Sequence, residues 1–584
     1  LKLVGVSRHQ DRPGMGNAVP DALALEDIEW LKKMGGNFLR VAHYPQDPVV
    51  LQACDRLGIL ASVEIPVVNE ITESDSFYNN CERMQVEMIR QNYNHPSVIM
   101  WCYMNEVLLR PHFNNDKERQ KIYIGNITKL AKRLENTTRR EDPYRYTMIA
   151  HHGDFDKYKN AELTDIPMVV GWNLYSGWYG GDISNFPEFL DKHHQQLPSK
   201  PMVVAEYGAD ADPRIRSLQP VRFDKSVEYT TRFHQYYMQE MMKRPFVAGA
   251  MIWNLADFNS EKREETMPHI NNKGLLRADR IPKDPYYFYQ SILTTAPFIK
   301  ILSADWKIRS GIADSATNIC YRPMQIAANL DSVELFVNEI SFGWKKPANG
   351  LCEWSIPFRN GMNRMEAKGV KEKQSYLDQS IIEFRMQPYL LSDTVLRFQS
   401  LNVLLGADRY FTDTAEQIWQ PDQAYRKGSW GHVGGRAFKL ANNNRLPYGS
   451  DKNILGTDND PVYQTQQTGI SNYRLDVPQG EYEITLHFAE LESASKDLPY
   501  NLSPPPPPAT IPERRFNVYV NNKLMLQNFD IAAQYGRARA VSKKIKLSVS
   551  DNQGIQIAFE SIVGEPVLNA IQVKRVYTEY NSYR

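Results

Sequence analysis

The sequence predicts an α/β domain, a (β/α)8 TIM barrel, over residues 1–295, followed by all-β domains. Apolar runs typical of strands alternate with amphipathic stretches typical of helices over the first 295 residues. Eight strand–helix units within about 250–300 residues are what such a barrel requires. After residue 295 short alternating strands replace this pattern. An open doubly wound sheet is the structural alternative, but no glycine-rich phosphate loop follows the first run.

Eight apolar runs are the predicted barrel strands. In chain order they are LVGVSRH (3–9), FLRVAHY (38–44), LASVEIP (60–66), VIMWCYMNE (98–106), YTMIAHH (146–152), PMVVGWNLY (167–175), MVVAEYG (202–208) and VAGAMIWNL (247–255). The stretches between them, such as ALALEDIEWLKKMG and NITKLAKRLENTTRR, place apolar residues three and four positions apart. That spacing is typical of one face of a helix.

Two β-rich regions follow the predicted barrel. Residues 296–400 contain short alternating runs such as SVELFVNEI and IIEFRMQ, separated by turns such as RNGMN, which predicts a β-sandwich of about 100 residues. Residues 401–584 form a second β-rich region. The segment SPPPPPAT interrupts it, and because polyproline cannot join a central strand we expect a surface excursion there.

Composition and charge exclude several classes of protein. The 584 residues are 42% hydrophobic and 23% charged, with a formal net charge of +1, so no global field recruits nucleic acid or an anionic membrane. No apolar run approaches the roughly 18 residues of a membrane span. The five cysteines are too few and too scattered for a disulfide framework or a zinc site. The opening residues LKLVGVSRHQ carry no signal-peptide pattern, and we expect a fragment or a processed product.

Polar residues gather where the apolar runs end. They are His9, Arg40, His43, Glu64, Asn105, Glu106, His151, Asn173, Tyr175, Glu206 and Trp253. Because the carboxyl ends of barrel strands meet at one rim, where catalytic groups lie, we expect these side chains to converge there.

Two carboxylates, Glu106 and Glu206, dominate the predicted rim. A carboxylate pair is the minimum for glycoside hydrolysis, and a retaining enzyme holds the two groups roughly 5–5.5 Å apart. Their mutual repulsion raises one pKa and keeps the acid protonated near neutral pH. A single glutamate could equally be a solvated residue or an ion-pair partner. Two glutamates framed by His, Asn, Tyr and Trp favour catalysis.

Other rim residues suit sugar binding. Asn105 could bind the sugar 2-hydroxyl, while Arg40 and His43 could hold hydroxyls or orient a carboxylate. Trp253 and Trp178 could form the floor beneath the sugar ring.

These residues lie in stretches that resemble glycoside hydrolase family 2, which contains β-galactosidases, β-glucuronidases and β-mannosidases. The stretches, in the order of that family, are GVSRHQDRPGMG, MGGNFLRVAHYPQDP, CDRLGILASVEIP, NHPSVIMWCYMNE, GWNLYSGWYGG, VVAEYGAD and MIWNLADF. The resemblance implies a retaining mechanism, with Glu106 as acid/base, Glu206 as nucleophile and Tyr175 hydrogen-bonded to the nucleophile. It also implies substrate-binding positions at His9, Arg40, His43, Asn105, Asn173 and Trp253.

The downstream regions also resemble known domains. Residues 296–400 resemble the immunoglobulin-like β-sandwich that often follows this barrel. Residues 401–584 resemble a malectin-like jelly-roll sandwich through LNVLLGADRYFTDTAEQIWQPDQAY, GSWGHVGG and LHFAELE, which implies carbohydrate binding. Tyr425 and Trp430 are the candidate ligand contacts.

Three departures from the family pattern matter. The jelly-roll and sandwich domains that usually precede the barrel are absent from this sequence, so we expect this chain alone to be weakly active or inactive. Val68 occupies a position where some β-galactosidases have a magnesium ligand, which implies catalysis without a metal or other cofactor. The stretch NNKG places Asn271 and Lys273 in the Asn-x-Lys pattern by which β-glucuronidases hold the substrate carboxylate, although both residues could also brace a loop.

We therefore expect a retaining exo-β-glycosidase acting on oligo- or polysaccharides, with β-galactosidase as the main expectation. β-Glucuronidase, with Asn271 and Lys273 as specificity residues, is the close alternative. A non-catalytic glycan-binding protein is the alternative from another class. The resemblance implies export to the bacterial periplasm or cell surface. The near-zero net charge and the lack of long apolar runs predict no nucleic-acid partner and no membrane span. The sequence leaves the oligomeric state open.

Overall fold

Eight parallel strands close into a barrel, each pairing with the next along the chain and the last with the first. They are β1 Leu3–Arg8, β2 Phe38–Val41, β3 Leu60–Glu64, β4 Val98–Asn105, β5 Tyr146–His152, β6 Val169–Asn173, β7 Met202–Tyr207 and β8 Val247–Ile252. Each of the eight predicted runs contains one of these strands, so the predicted barrel is confirmed.

Helices connect the strands. They are α1 Asp21–Met34, α2 Pro48–Leu57, α3 Asp75–Asn92, α4 Lys117–Glu141, α5 Phe155–Asn160, α6 Asn185–Gln196, α7 Val227–Met242 and α8 Asp284–Leu293. Helix α1 shows how the sequence sets its limits. Ala24, Ile28 and Leu31 face inward at the predicted spacing. The helix ends at Gly35, whose φ of +91° and whose close approach to Leu293, 2.7 Å from a would-be Cβ, both require glycine.

This computed structural model describes residues 2–441, 445–492, 513–551 and 553–577. The predicted polyproline excursion, SPPPPPAT, lies outside the described residues. Two compact units divide the chain. The first unit comprises segments 1–211, 230–260 and 270–296, and the second comprises 212–229, 261–269 and 297–584. Among the described helices none is both long and apolar enough to cross a bilayer.

The part of the second unit after the barrel begins with two sheets. The first is antiparallel and contains Ile299–Ile301, Cys320–Ala328 and Leu351–Phe358. The other contains, in spatial order, Ile308–Ile312, Gln374–Gln387, Gly361–Lys371, Ser332–Val337 and Ile340–Lys345. Their inward side chains, including Ile326, Trp354 and Phe384, form one apolar core. This is the sandwich character that the alternating pattern predicts.

Three further sheets form the rest of the second unit. A seven-stranded sheet contains, in spatial order, Val541–Val549, Gly480–Phe488, Ala570–Val576, Ser400–Leu404, Ile418–Pro421, Tyr410–Thr412 and Ile215–Arg216. A five-stranded sheet contains Trp430–Val433, Asn472–Leu475, Ile555–Val563, Arg515–Val520 and Lys523–Phe529. A small sheet contains Arg436–Ala437, Gln467–Thr468 and Val567–Leu568. The described residues of this region also form a short helix, Ile531–Tyr535, and a 3₁₀ turn, Asp460–Val462.

Two segments from the predicted barrel range fold within the second unit. The strand Ile215–Arg216 is the edge of its seven-stranded sheet. Lys225 forms a buried ion pair with Glu265, and Gln464 donates through Nε2 to the Glu265 carbonyl at 3.0 Å. These contacts tie segments 212–229 and 261–269 to each other and to the malectin-like region.

Candidate active site

The carboxyl ends of the barrel strands deliver both predicted catalytic carboxylates. Asn105 is the last residue of β4 and Glu106 follows it, whereas Glu206 lies within β7. Glu106 has a φ of +52°, in the left-handed backbone region. Residues other than glycine rarely adopt this conformation, and those that do are often found at functional sites. Its backbone N–H still donates to the Ala150 carbonyl at 2.8 Å. The turn therefore ends β4 without an orphaned amide.

Arg40 organises the centre of the site. Its guanidinium is completely buried and donates to Glu206 Oε1 at 2.7 Å, to Asn105 Oδ1 at 2.9 Å and to Glu64 Oε2 at 3.1 Å. A planar guanidinium presents its donors in a fixed fork. Arg40 therefore fixes the positions of three side chains that come from three different strands.

A second set of hydrogen bonds joins Glu106 to this centre. Asn173 Nδ2 lies 3.0 Å from Glu106 Oε1 and 3.1 Å from Asn105 Oδ1. Asn105 Oδ1 also accepts from Arg40, which donates in turn to Glu206. Glu106 and Glu206 thus belong to one continuous hydrogen-bond network on one rim.

The surroundings of Glu106 and Glu206 suit them to different roles. Burial, followed by the negative charge of Glu206, raises the pKa of Glu106 to about 8. Glu106 is therefore mostly protonated at neutral pH and can donate a proton. Glu206 accepts from Arg40 at 2.7 Å and from the Tyr175 hydroxyl at 2.8 Å. Burial and the charge of Glu206 raise the pKa of Tyr175 well above its usual value, so that hydroxyl keeps its proton.

Glu64 supports His43 and Arg40. Burial opposes its ionisation, but Arg40 and His43 outweigh burial and lower the pKa of Glu64. His43 Nδ1 lies 2.7 Å from Glu64 Oε1, and because an ionised carboxylate only accepts, Nδ1 carries the proton. His43 Nε2 is 3.8 Å from Glu206 Oε1. This orientation aims the second nitrogen of His43 at the predicted nucleophile.

Aromatic rings surround His9 and His43. His43 stacks on Trp253 with ring centroids 4.9 Å apart, and His9 stacks on Phe258 at 4.0 Å. His9 also meets Trp253 edge-on at 5.3 Å. Burial, together with the charges of His43 and Arg40, lowers the pKa of His9 well below its usual value. His9 is therefore a neutral imidazole at the edge of the site.

Lys273 reaches the same site from the loop after β8. Its ammonium is buried and lies 2.7 Å from Asp210 Oδ2 and 2.6 Å from the Tyr179 hydroxyl. The Tyr179 ring contacts that of Tyr175, with centroids 5.2 Å apart, and Tyr175 binds Glu206. One layer of aromatic rings thus connects Lys273 to the predicted nucleophile.

Asn271 stands next to this lysine. Its Oδ1 accepts from the backbone N–H of Lys273 at 3.3 Å. The sequence-predicted residues Glu106, Glu206, His9, Arg40, His43, Asn105, Asn173, Tyr175, Trp253, Asn271 and Lys273 are therefore all brought to one rim of the barrel.

Three aromatic or imidazole side chains do not reach a ligand site in the way the sequence suggests. His151 is fully buried against Tyr158 and Trp172, on the outer side of β5, and burial lowers its pKa to about 3. Trp178 is fully buried and donates to Asp210 Oδ2 at 2.9 Å, so it does not form a sugar floor. Trp430 lies in the apolar core of the malectin-like region, which removes it as a ligand contact.

Asp210 and Tyr179 are the site residues that sequence reasoning missed. Both lie inside quoted stretches, VVAEYGAD and GWNLYSGWYGG, but neither ends an apolar run. Their roles depend on Lys273, which is 63 and 94 positions away along the chain. Among the described residues no group of three or more His, Cys, Asp or Glu side chains could hold a metal ion. Metal-independent catalysis stays a prediction.

Comparison with known proteins decides the family. The model of the glycosyl hydrolases family 2 TIM barrel domain matches residues 1–296. The chain belongs to glycoside hydrolase family 2. The predicted resemblance is thereby confirmed, and a malectin domain model matches residues 400–571. A domain of unknown function, DUF4982, matches residues 322–375.

Several family 2 relatives resemble this chain. A β-glucuronidase of Bacteroides fragilis is 32% identical over 59% of this chain and 48% of its own length. Human β-glucuronidase is 29% identical over 48% of this chain and 42% of its own length. The chain spans about half the length of the curated relatives it matches.

Solved structures show the same likeness over nearly the whole chain. The crystal structure of a Bacteroides uniformis β-glucuronidase superposes with a TM-score of 0.90 and 37% identity, over 99% of this chain and 66% of that protein. Bacteroides uniformis β-glucuronidase 2, covalently bound to cyclophellitol-6-carboxylate aziridine, gives 0.90 and 36% over the same shares. These family 2 relatives do not support the main expectation of a β-galactosidase, and they favour the β-glucuronidase alternative.

Proposed function

We propose that the chain acts as a retaining exo-β-glucuronidase on glucuronides at the ends of oligo- or polysaccharides. One observation carries this proposal: a buried ammonium, Lys273, lies beside Asn271 in the site that contains both carboxylates. An ammonium can pair with the sugar carboxylate as a charge and as a donor. A neutral hydroxymethyl group, as in a galactoside, offers no such ion pair. The β-glucuronidase relatives support the same choice.

The first chemical step uses both glutamates. Ionised Glu206 attacks the anomeric carbon, while protonated Glu106 gives its proton to the leaving glycosidic oxygen. The bond from that carbon to the leaving oxygen breaks as the bond to Glu206 forms. Arg40 and Tyr175 hold the two oxygens of Glu206, which orients the nucleophile before the attack.

The second step reverses the role of Glu106. Once Glu206 is esterified its charge is gone, and that charge is one of the causes that raise the pKa of Glu106. The pKa of Glu106 therefore falls in the glycosyl-enzyme. Glu106 takes a proton from the water that attacks the anomeric carbon, and the bond from that carbon to Glu206 breaks, which restores the free carboxylate. Asn173 stays hydrogen-bonded to Glu106 and can hold it in position for both steps.

A panel of 4-nitrophenyl β-glycosides tests the proposal. The parent in this and the following turnover assays is this chain joined to the jelly-roll and sandwich domains that usually precede the barrel, because we expect the chain alone to be weakly active or inactive. We expect a kcat/KM for the glucuronide at least 100-fold above those for the galactoside, glucoside and mannoside. Lys273→Met should lower glucuronide turnover selectively. Glu135→Gln changes a buried carboxylate on α4 outside the site and is the matched control for Glu206→Gln, which should abolish turnover. Preferred cleavage of the galactoside, or cleavage of none of the four, would refute the proposal.

A further inference from the structure

Asp210 follows β7, the strand that carries the predicted nucleophile Glu206, and forms an ion pair with Lys273, the predicted specificity residue. It lies four residues after Glu206 and is fully buried. Its Oδ2 accepts from Lys273 Nζ at 2.7 Å and from Trp178 Nε1 at 2.9 Å. The indole bond orients the carboxylate, since Trp178 is itself fully buried. Asp210 therefore presents a fixed counter-charge to the Lys273 ammonium.

Other residues hold the backbone of the lysine loop. Asp257 Oδ1 accepts from the Gly274 N–H at 2.9 Å and from Lys283 Nζ at 2.8 Å. Lys283 also donates to the Asn272 carbonyl at 2.9 Å. The loop on both sides of Lys273 is thus braced by a separate ion pair. The contact of Asp210 is with the Lys273 side chain.

A lysine side chain needs such an anchor to act as a recognition group. Its four-carbon stem is flexible, and its ammonium is a point charge with no preferred direction of its own. In this site the Lys273 ammonium donates hydrogen bonds to the Tyr179 hydroxyl and the Asp210 carboxylate. The centroid of the Tyr179 ring lies 4.6 Å from the ammonium. A buried lysine that lacks a counter-charge tends to lose its proton. Asp210 therefore secures both the place and the charge of the ammonium.

We propose that Asp210 is a positioning residue for carboxylate recognition: it holds the Lys273 ammonium, charged and in place, for the carboxylate of the sugar. This inference rests on the proposed β-glucuronidase function. It assigns to Asp210 an effect on substrate affinity that a salt bridge serving only loop stability would not have. It also predicts that the effect of Asp210 passes entirely through Lys273.

A double-mutant cycle tests this prediction. The kcat/KM for 4-nitrophenyl β-D-glucuronide is measured for the parent chain, Asp210→Asn, Lys273→Met and the double variant. Asparagine keeps an acceptor for Trp178 and removes the charge. We expect Asp210→Asn alone to lower kcat/KM at least 10-fold, mainly through KM. In the Lys273→Met background the same change should have less than a twofold effect, because coupled residues are not additive.

Asp142→Asn is the matched control. Asp142 is also fully buried, and its Oδ2 accepts from an indole, Trp101 Nε1 at 2.9 Å, and from a cation, Arg145 at 2.7 Å. It precedes β5, at the amino end of the barrel strands. The same chemical change there should leave the KM for the glucuronide within twofold of the parent value.

The outcomes separate the inference from the function on which it rests. Tighter glucuronide binding by Asp210→Asn would mean that Asp210 competes with the substrate for Lys273. An equal loss of kcat/KM in the parent and in the Lys273→Met background would mean that Asp210 has a purely structural role. Either result overturns the inference. If Asp210→Asn alone does not fold, the double variant, which lacks both charges, should match Lys273→Met, and a tenfold lower kcat/KM would overturn the inference. A parent chain that cleaves the galactoside but not the glucuronide refutes the proposed function itself.

Discussion

Replacing Glu106 by glutamine should stabilise the protein at neutral and alkaline pH while it removes the general acid. Burial and Glu206 raise the pKa of Glu106 from 4.5 to about 8. The unfolded chain therefore ionises this group above pH 4.5, whereas the folded protein keeps it protonated until pH 8. Between these values the unfolded state binds fewer protons, so the free energy of unfolding falls as the pH rises.

The size of the effect follows from the shift. One pKa unit corresponds to about 1.4 kcal/mol, so Glu106 costs at most about 3 kcal/mol at pH 7 and about 5 kcal/mol above pH 8. These are upper values because the residue keeps some contact with solvent. Glutamine has no charge to bury and can still accept from Asn173. We therefore expect Glu106→Gln to be more stable than the parent by up to these amounts, with the difference vanishing near pH 4.5.

Thermal unfolding of both proteins between pH 4.5 and 9 measures this difference. Glu64→Gln is the control of opposite sign, since Arg40 and His43 overcome burial and lower the pKa of Glu64. Its ionised form contributes stability above pH 4.5 that is lost as the pH falls through the lowered pKa, so Glu64→Gln should be less stable than the parent at pH 7. A Glu106→Gln protein with the same melting temperature as the parent at every pH would refute the reasoning.

Three further predictions concern catalysis and stability. The kcat/KM for a glucuronide with a poor leaving group should fall as the pH rises through about 8, because Glu106 loses its proton and can no longer protonate the leaving oxygen. A profile flat to pH 9.5 would contradict this. Glu106→Gln should slow substrates with poor leaving groups about 10²–10⁴-fold and 2,4-dinitrophenyl substrates far less, and equal losses in stopped assays would contradict it. Arg40→Met should lower the free energy of unfolding by about 3–5 kcal/mol, because it leaves Glu64 and Glu206 without their buried cationic partner. Urea titration at pH 7 measures this change, and an unchanged midpoint would contradict the prediction.

Much of the barrel could be predicted because its signals are local. Each run, such as VIMWCYMNE, carries its own apolar pattern and ends in polar residues that the parallel barrel must place on one rim. The strand Ile215–Arg216 could not be found in this way. It has only two residues, and its pairing partner Tyr410–Thr412 lies about 195 positions later. The inclusion of segments 212–229 and 261–269 in the second unit depends on such distant contacts.

The site shows the same division. Glu106 and Glu206 were found because they end buried runs, which is a local feature. Asp210 and Tyr179 become significant only through Lys273, so no local pattern marks them. The sequence also does not tell which face of a strand or loop an aromatic ring takes. The sequence therefore predicts Trp430 as a ligand contact, whereas in the structure this residue packs in the apolar core.

Covalent trapping tests most directly whether Glu106 and Glu206 act on one anomeric carbon. The chain is incubated with a glucuronate-configured cyclophellitol aziridine, and the labelled peptide is identified by mass spectrometry. We predict attachment to Glu206 and labelling at least tenfold slower in Glu106→Gln, because Glu106 protonates the departing nitrogen. Attachment to another residue, or an equal labelling rate in Glu106→Gln, would contradict the account.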